Sequence, residues 1–119
     1  MRSMLNQTID VLIHIGAGRG DDLPYYLSGK IKRIVLIEPN PEFAQKLSTE
    51  ALEHPRVEVW ELAVASSRGK GSLNVFNWPE ASSLTQPTAL TELFPGLNIE
   101  CMYQIQTITV EDTFRRLKL

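Results

Sequence analysis

"VLIHIGAGRGDDL", Val11 to Leu23, sets an apolar run carrying one histidine against three glycines spaced by single residues, followed by two aspartates. Val11–Ile15 is short, almost continuously apolar and rich in β-branched residues, which predicts a strand covered on both faces, as in a parallel sheet. Glycines behind such a strand allow a tight turn and a close approach of backbone to ligand, and they leave the N–H groups of a helix start pointing at it. Leu23, Tyr26 and Leu27 are spaced to share one helical face. The helix is predicted to begin near Gly20 or Asp21, which leaves Pro24 in its first turn, and to stop at Gly29.

Outward from that unit, Ile31–Glu38 ("IKRIVLIE") reads as a second buried strand with a carboxylate at its end. "PNPEFAQKLSTEAL" then starts a helix by local rules: Asn40 caps, Pro41 fits the first helical position, and Glu42 suits the positive end of the dipole. Phe43, Leu47 and Ala51 recur on one face. His54-Pro55 closes the helix, and "RVEVWELAV" reads as a third strand. The β-α-β-α-β order with short loops predicts a parallel α/β sheet, strands in order 3-2-1. "SSRGKGS" is a turn cluster and "LNVFNW" alternates as a strand with one exposed side, so a β-hairpin leaving the third strand is expected. Residues 79–99 read as a loop with a short helix near Leu84–Leu93. "YQIQTITV" is a further strand, and Thr109 with Asp112 forms a capping-box-like pair opening a last helix, "VEDTFRRLKL".

The 119 residues suit one domain, and the formal charge of −2 with no basic stripe gives no reason to expect nucleic acid or an anionic membrane surface as partner. No apolar run has the length of a membrane span, and the start lacks the apolar core of a signal peptide, so a soluble, cytoplasmic protein is expected. Cys101 is the single cysteine, which excludes an internal disulfide and a multi-cysteine zinc cluster.

A strand, a glycine turn and a helix start together describe a cofactor site. Glu38 follows Gly16 by 22 residues at the end of the next strand, where it can accept hydrogen bonds from both hydroxyls of a ribose. The dinucleotide fingerprint G-x-G-x-x-G/A needs a small residue where this chain has Asp21, a carboxylate that would repel a pyrophosphate. The spacing of Gly16, Gly18 and Gly20 is G-x-G-x-G and suits a phosphate-free ligand such as S-adenosylmethionine. A P-loop is excluded because no G-K-[ST] follows.

"IHIGAGRGDDLPYYL", "VLIEPNPEFAQKL", "VEVWELAVASSRGKGSLNVF", "SSL" and "TITVEDTF" resemble, in order, the opening segments of FkbM-type S-adenosylmethionine-dependent methyltransferases, with E-P-N-P the most distinctive part. The resemblance implies a Rossmann-like class I methyltransferase fold in which Gly16, Ala17, Gly18 and Gly20 surround the cofactor. It also implies that Glu38 and Pro39 lie at the ribose and that Glu61, Leu62 and Ala63 edge the adenine. It further implies a small-molecule acceptor, a sugar or another metabolite methylated on oxygen. His14 stands where the family has an acid that would contact the methionyl part of the cofactor, and Gly18 where it has Asn. Residues 1–119 correspond to a single partial domain, the cofactor-binding half. The family's later strands, including "K-x-D-x-E-G", are absent.

Taken by themselves, the residues around His14 suggest a core histidine satisfied by backbone. Trp60 and Trp78 read as packing residues and Cys101 as a small buried one. Asp21 and Asp22 read as charges favourable at a helix N-terminus. No triad, carboxylate pair or metal cluster stands out, so no catalytic residue and no metal site is assigned. Three functions remain: the cofactor-binding part of a methyltransferase, a truncated or degenerate domain serving as a structural or interaction module, and a nicotinamide-binding domain, which Asp21 disfavours. An uncovered first strand would favour homodimerisation through its edge, unless "YQIQTITV" folds back over it.

Overall fold

β1 (Thr8–Ile15), β2 (Lys30–Ile37) and β3 (Val57–Trp60) make a parallel sheet with β2 in the middle. The architecture comes from a computed structural model that describes residues 7–76, 96 and 98–119. Those residues fall into two compact units, Met1–Ala63 and Val64–Leu119. Both are mixed α/β or β-rich, and among the described residues no helix is long and apolar enough to cross a membrane.

In the first unit, α1 (Leu23–Leu27) links β1 to β2 and α2 (Pro41–Ala51) links β2 to β3. Two crossovers stepping the same way along a parallel sheet place their helices on the same face. The core bears this out, because Leu23 of α1 and Leu47 of α2 cluster with Ile34 and Leu36 of β2 and Val57 of β3. β2 is hydrogen-bonded on both sides, and Ile34–Ile37 are at most 1% exposed. β1 sits at the sheet edge and is only half-buried, not the strand covered on both faces that its apolar run predicts. It is also longer than that run, because pairing with β2 extends back through Thr8↔Lys30.

Local signals place the helices well. Asn40 caps α2, its side chain accepting the N–H of Glu42 at 3.0 Å, with Pro41 at the start. α1 begins later and is shorter than expected, with Asp22 at its N-cap position and Pro24 in its first turn. Its last carbonyl, that of Leu27, is met by a residue the sequence did not advertise. Arg56, just before β3, donates to the carbonyls of Leu27, Gly29 (3.1 Å) and Ile31 (2.8 Å) and so ties the α1–β2 connection to the start of β3.

The second unit holds β5 (Gly69–Phe76), β6 (Ile99–Ile108) and α3 (Val110–Leu117), with β4 (Ala63–Val64) where the chain passes from one unit to the other. The sheet order is β4-β6-β5. The expected hairpin from the third strand does not form. β5 is instead antiparallel to β6, Gly69 opposite Thr107 and Phe76 opposite Ile99. Four of the seven residues of the predicted turn cluster, Gly69–Ser72, are therefore strand. Leu73, Asn74, Val75 and Phe76 are buried in succession, so β5 is covered on both faces there and lacks the exposed side its alternation suggested. β6 lies between β4 and β5. Cys101 is exposed rather than buried, because the first four residues of β6 all face solvent. α3 opens on the expected capping box, with Thr109 Oγ1 accepting from Asp112 N and Asp112 from Thr109 N. The helix expected near 84–93, the "SSL" segment and Trp78 lie outside the described residues.

Candidate ligand site at the carboxyl ends of the parallel strands

Every residue singled out for a cofactor lies in the first unit, at or just beyond the carboxyl ends of β1, β2 and β3. Open parallel sheets bind ligands at this end, because the connecting loops leave a crevice there. The contacts that join these residues run through backbone. Gly16 N and Ala17 N donate to the Ile37 carbonyl at 2.8 and 3.0 Å, and Gly18 N donates to Glu38 Oε1 at 2.6 Å. Glu38 Oε2 accepts Asn40 N at 2.8 Å, and Glu38 N donates to the Trp60 carbonyl at 3.0 Å. The same carbonyl accepts Leu62 N at 3.0 Å, which brings Glu61–Ala63 to the same edge. Glu61 is exposed, Leu62 and Ala63 are buried, and Pro39 is half-buried between Glu38 and Asn40.

The loop is not a phosphate cradle. A cradle needs backbone N–H groups turned outward. Here those of Gly16, Ala17 and Gly18 point at the end of β2, and Gly20 N donates to Ala17 O at 3.1 Å. Asp21 and Asp22, both exposed, follow directly. α1, only five residues long, adds no helix N-terminus of consequence.

Gly20 explains the last glycine of the spacing. It adopts φ +81°, and a Cβ there would lie 2.5 Å from Leu47 Cδ2, whose side chain is fully buried in α2. The loop therefore packs directly on α2. One residue earlier, the Arg19 guanidinium sits 5.4 Å from the centre of the Phe43 ring, a second tie to the same helix. At Gly16 and Gly18 a Cβ would meet nothing within 4 Å, so the open side of the loop is on those residues.

Glu38 is 6% exposed and has both oxygens engaged. Sequence spacing placed it beside the loop; that it also anchors the loop was not legible, since the partners are backbone groups. His14 is half-buried, and its Nδ1 lies 3.1 Å from the hydroxyl of Tyr26 in α1, with the rings edge-on at 5.8 Å. Its partner is thus a side chain and not the backbone expected for it. Burial and the nearby Asp22 carboxylate push the Tyr26 phenol above its ordinary pKa, so it stays protonated. Among the described residues no group of three His, Cys, Asp or Glu side chains is placed to hold a metal ion.

No protein-family profile matches the chain, and no curated protein matches it. In three dimensions it is similar to the crystal structure of methyltransferase FkbM from Methylobacillus flagellatus KT, with a TM-score of 0.51 at 15% sequence identity. The match covers 88% of this chain and 22% of that one, so this chain spans about a fifth of that protein's length. The likeness shows a methyltransferase-like fold.

Proposed function

We propose that the chain carries the S-adenosylmethionine-binding part of an FkbM-type methyltransferase that acts on an oxygen of a sugar or another small metabolite. The observation that carries this reading is the convergence of Gly16–Gly20, Glu38 and Glu61–Ala63 at the carboxyl ends of three parallel strands, in a loop whose amides are turned away from any phosphate. When bound, the cofactor supplies a methyl group on a positive sulfonium.

The residues fit such a ligand. Each Glu38 oxygen takes one N–H, and a carboxylate offers about four lone-pair positions, so both oxygens retain one for a ribose hydroxyl. Gly16 and Gly18 leave room for the ligand to lie against the loop. Asp21 and Asp22 oppose a pyrophosphate and tolerate a cation. Leu62 and Ala63 offer an apolar edge to a base, with Glu61 outward. For methyl transfer to an oxygen, holding the acceptor in line with the sulfonium accounts for much of the acceleration.

His14 supports a second reading, a non-catalytic module, because an imidazole held by Tyr26 stands where the resembled family has an acid. Calorimetric titration decides between the two. S-adenosylmethionine and S-adenosylhomocysteine are expected to bind, with NAD weaker or silent. Absence of binding by both adenosyl compounds would leave the module, and tighter binding of NAD would overturn the cofactor.

A further inference from the structure

We propose that the outer edge of β1 is an association surface whose occupant is a second copy of this chain, the two strands pairing antiparallel about Leu12. The proposal does not rest on the nucleoside reading of the ligand site.

Among the described strands β1 pairs with β2 alone. Gly16 N reaches the Ile37 carbonyl, which turns the N–H and C=O of the even-numbered residues of β1 toward β2 and those of Ile9, Val11, Ile13 and Ile15 outward. A sheet edge is ordinarily guarded by brevity, charge, proline or a bulge. β3 is only four residues long and includes Glu58, and β5 carries Lys70 and a register shift between Val75 and Phe76. β1 runs for eight residues with no proline, glycine or register shift, and its one carboxylate is Asp10.

That carboxylate suits a copy of the same strand. With Leu12 on a twofold axis, Asp10 stands opposite the partner's His14, Val11 opposite the partner's Ile13, and Ile9 opposite the partner's Ile15. Ile15, 53% exposed, thereby gains an apolar neighbour. Asp10 and the partner's His14 form a non-hydrogen-bonded pair, the kind in which opposed side chains come closest. His14 Nδ1 lies 3.1 Å from the Tyr26 hydroxyl, so with the phenol as donor the ring proton stays on Nε2, where it can be given to the carboxylate. The Asp10 side chain is 84% exposed and meets Lys32 Nζ through one oxygen, at 3.4 Å, which leaves the other for the imidazole. The pairing also selects its register. An axis at Val11 would set Asp10 against the partner's Leu12, and an axis at Ile13 would set it beyond the end of the partner's strand.

Sedimentation equilibrium of the full chain, with two variants that spare the pairing to β2, tests this. The parent is expected to dimerise reversibly with rising concentration. Val11→Pro removes an outward N–H and crowds the partner's strand while leaving the bonds to β2, so it should be monomeric. Asp10→Lys, at an exposed position, replaces both symmetry-related acceptors by ammonium groups and should weaken dimerisation by about tenfold. Circular dichroism shows whether each variant is folded; if Val11→Pro is not, Asp10→Lys decides. Oxidative cross-linking in a Cys101→Ser background reads the register. Leu12→Cys should link to its copy across the axis, and Asp10→Cys should not, because the residue opposite it is the partner's His14. A parent that stays monomeric at every concentration would overturn the proposal. So would a dimer unaffected by folded Val11→Pro or Asp10→Lys, or cross-linking of Asp10→Cys as ready as that of Leu12→Cys.

Discussion

Gly18 and Glu38 are twenty residues apart in the chain and 2.6 Å apart in space, the glycine N–H donating to carboxylate Oε1. The other oxygen, Oε2, holds Asn40 N at 2.8 Å, and Asn40 in turn caps α2. One buried carboxylate therefore sets the glycine loop, the end of β2 and the start of α2 relative to one another. Removing it as Glu38→Ala leaves two backbone donors without their acceptor. Hydrogen bonds to a charged group are worth roughly 1.5–3 kcal/mol each, so a loss of about 3 kcal/mol of stability is expected in urea denaturation. Ligand affinity should fall in the same variant. A change in stability below about 0.5 kcal/mol, the size of an ordinary surface substitution, would show that the carboxylate does not hold the loop.

Gly20→Ala and Gly18→Ala separate packing from backbone strain. Both positions have positive φ, costing about 1–2 kcal/mol for a residue with a Cβ. At Gly20 the added methyl also meets Leu47 Cδ2, and overpacking a filled core adds about 1–3 kcal/mol. At Gly18 it meets open space. Thermal melts should rank the parent above Gly18→Ala and Gly18→Ala above Gly20→Ala. The reverse order of the two variants would contradict the contact between loop and α2.

Arg56 offers a test far from the ligand site. Its guanidinium serves the carbonyls of Leu27 at the end of α1, Gly29 in the turn and Ile31 in β2. Arg56→Ala should cost about 2–3 kcal/mol, and Arg56→Lys most of that, because an ammonium cannot span three carbonyls. Full rescue by lysine would mean that charge, and not the fork, holds this turn.

Asp112 makes the second unit sensitive to acid. The Arg68 guanidinium, at 2.7 and 3.0 Å, and the Thr109 N–H hold its carboxyl well below the usual carboxylate range. A carboxyl whose pKa is lower in the folded than in the unfolded chain contributes stability that is complete above the unfolded value, about 4, and fades as pH falls toward the folded one. The melting temperature of the parent should therefore exceed that of Asp112→Asn near neutral pH. The gap should close progressively below about pH 4. A gap that stays constant down to strongly acidic pH would remove Asp112 from the acid response.

Much of the frame was legible because its causes lie within a few residues. Asn40, Pro41 and Glu42 start α2 through groups two or three positions apart, and Thr109 with Asp112 does the same for α3. The apolar runs ending at Ile15 and Ile37 marked parallel strands, and the glycines behind the first marked a turn at the sheet's carboxyl end. The partner of β5 was not legible. An alternating strand pairs with any edge of matching pattern, and Ile99–Ile108, some thirty residues on, competes with the nearby third strand without a local signal to decide.

Within the candidate site the division is the same. By itself the sequence determined which chemistry-bearing groups lie at the sheet's carboxyl end: three glycines at single spacing, a carboxylate closing the next strand, and acids where a pyrophosphate would sit. Tertiary structure alone decided what those groups do to one another. Glu38 is spent in part on backbone N–H groups, Gly20 is required by Leu47, Arg19 rests on Phe43, and His14 answers to Tyr26. The contacts of Gly20, Arg19 and His14 depend on where a helix packs against the sheet. That is set by the summed burial of many side chains, which no short stretch of the chain records.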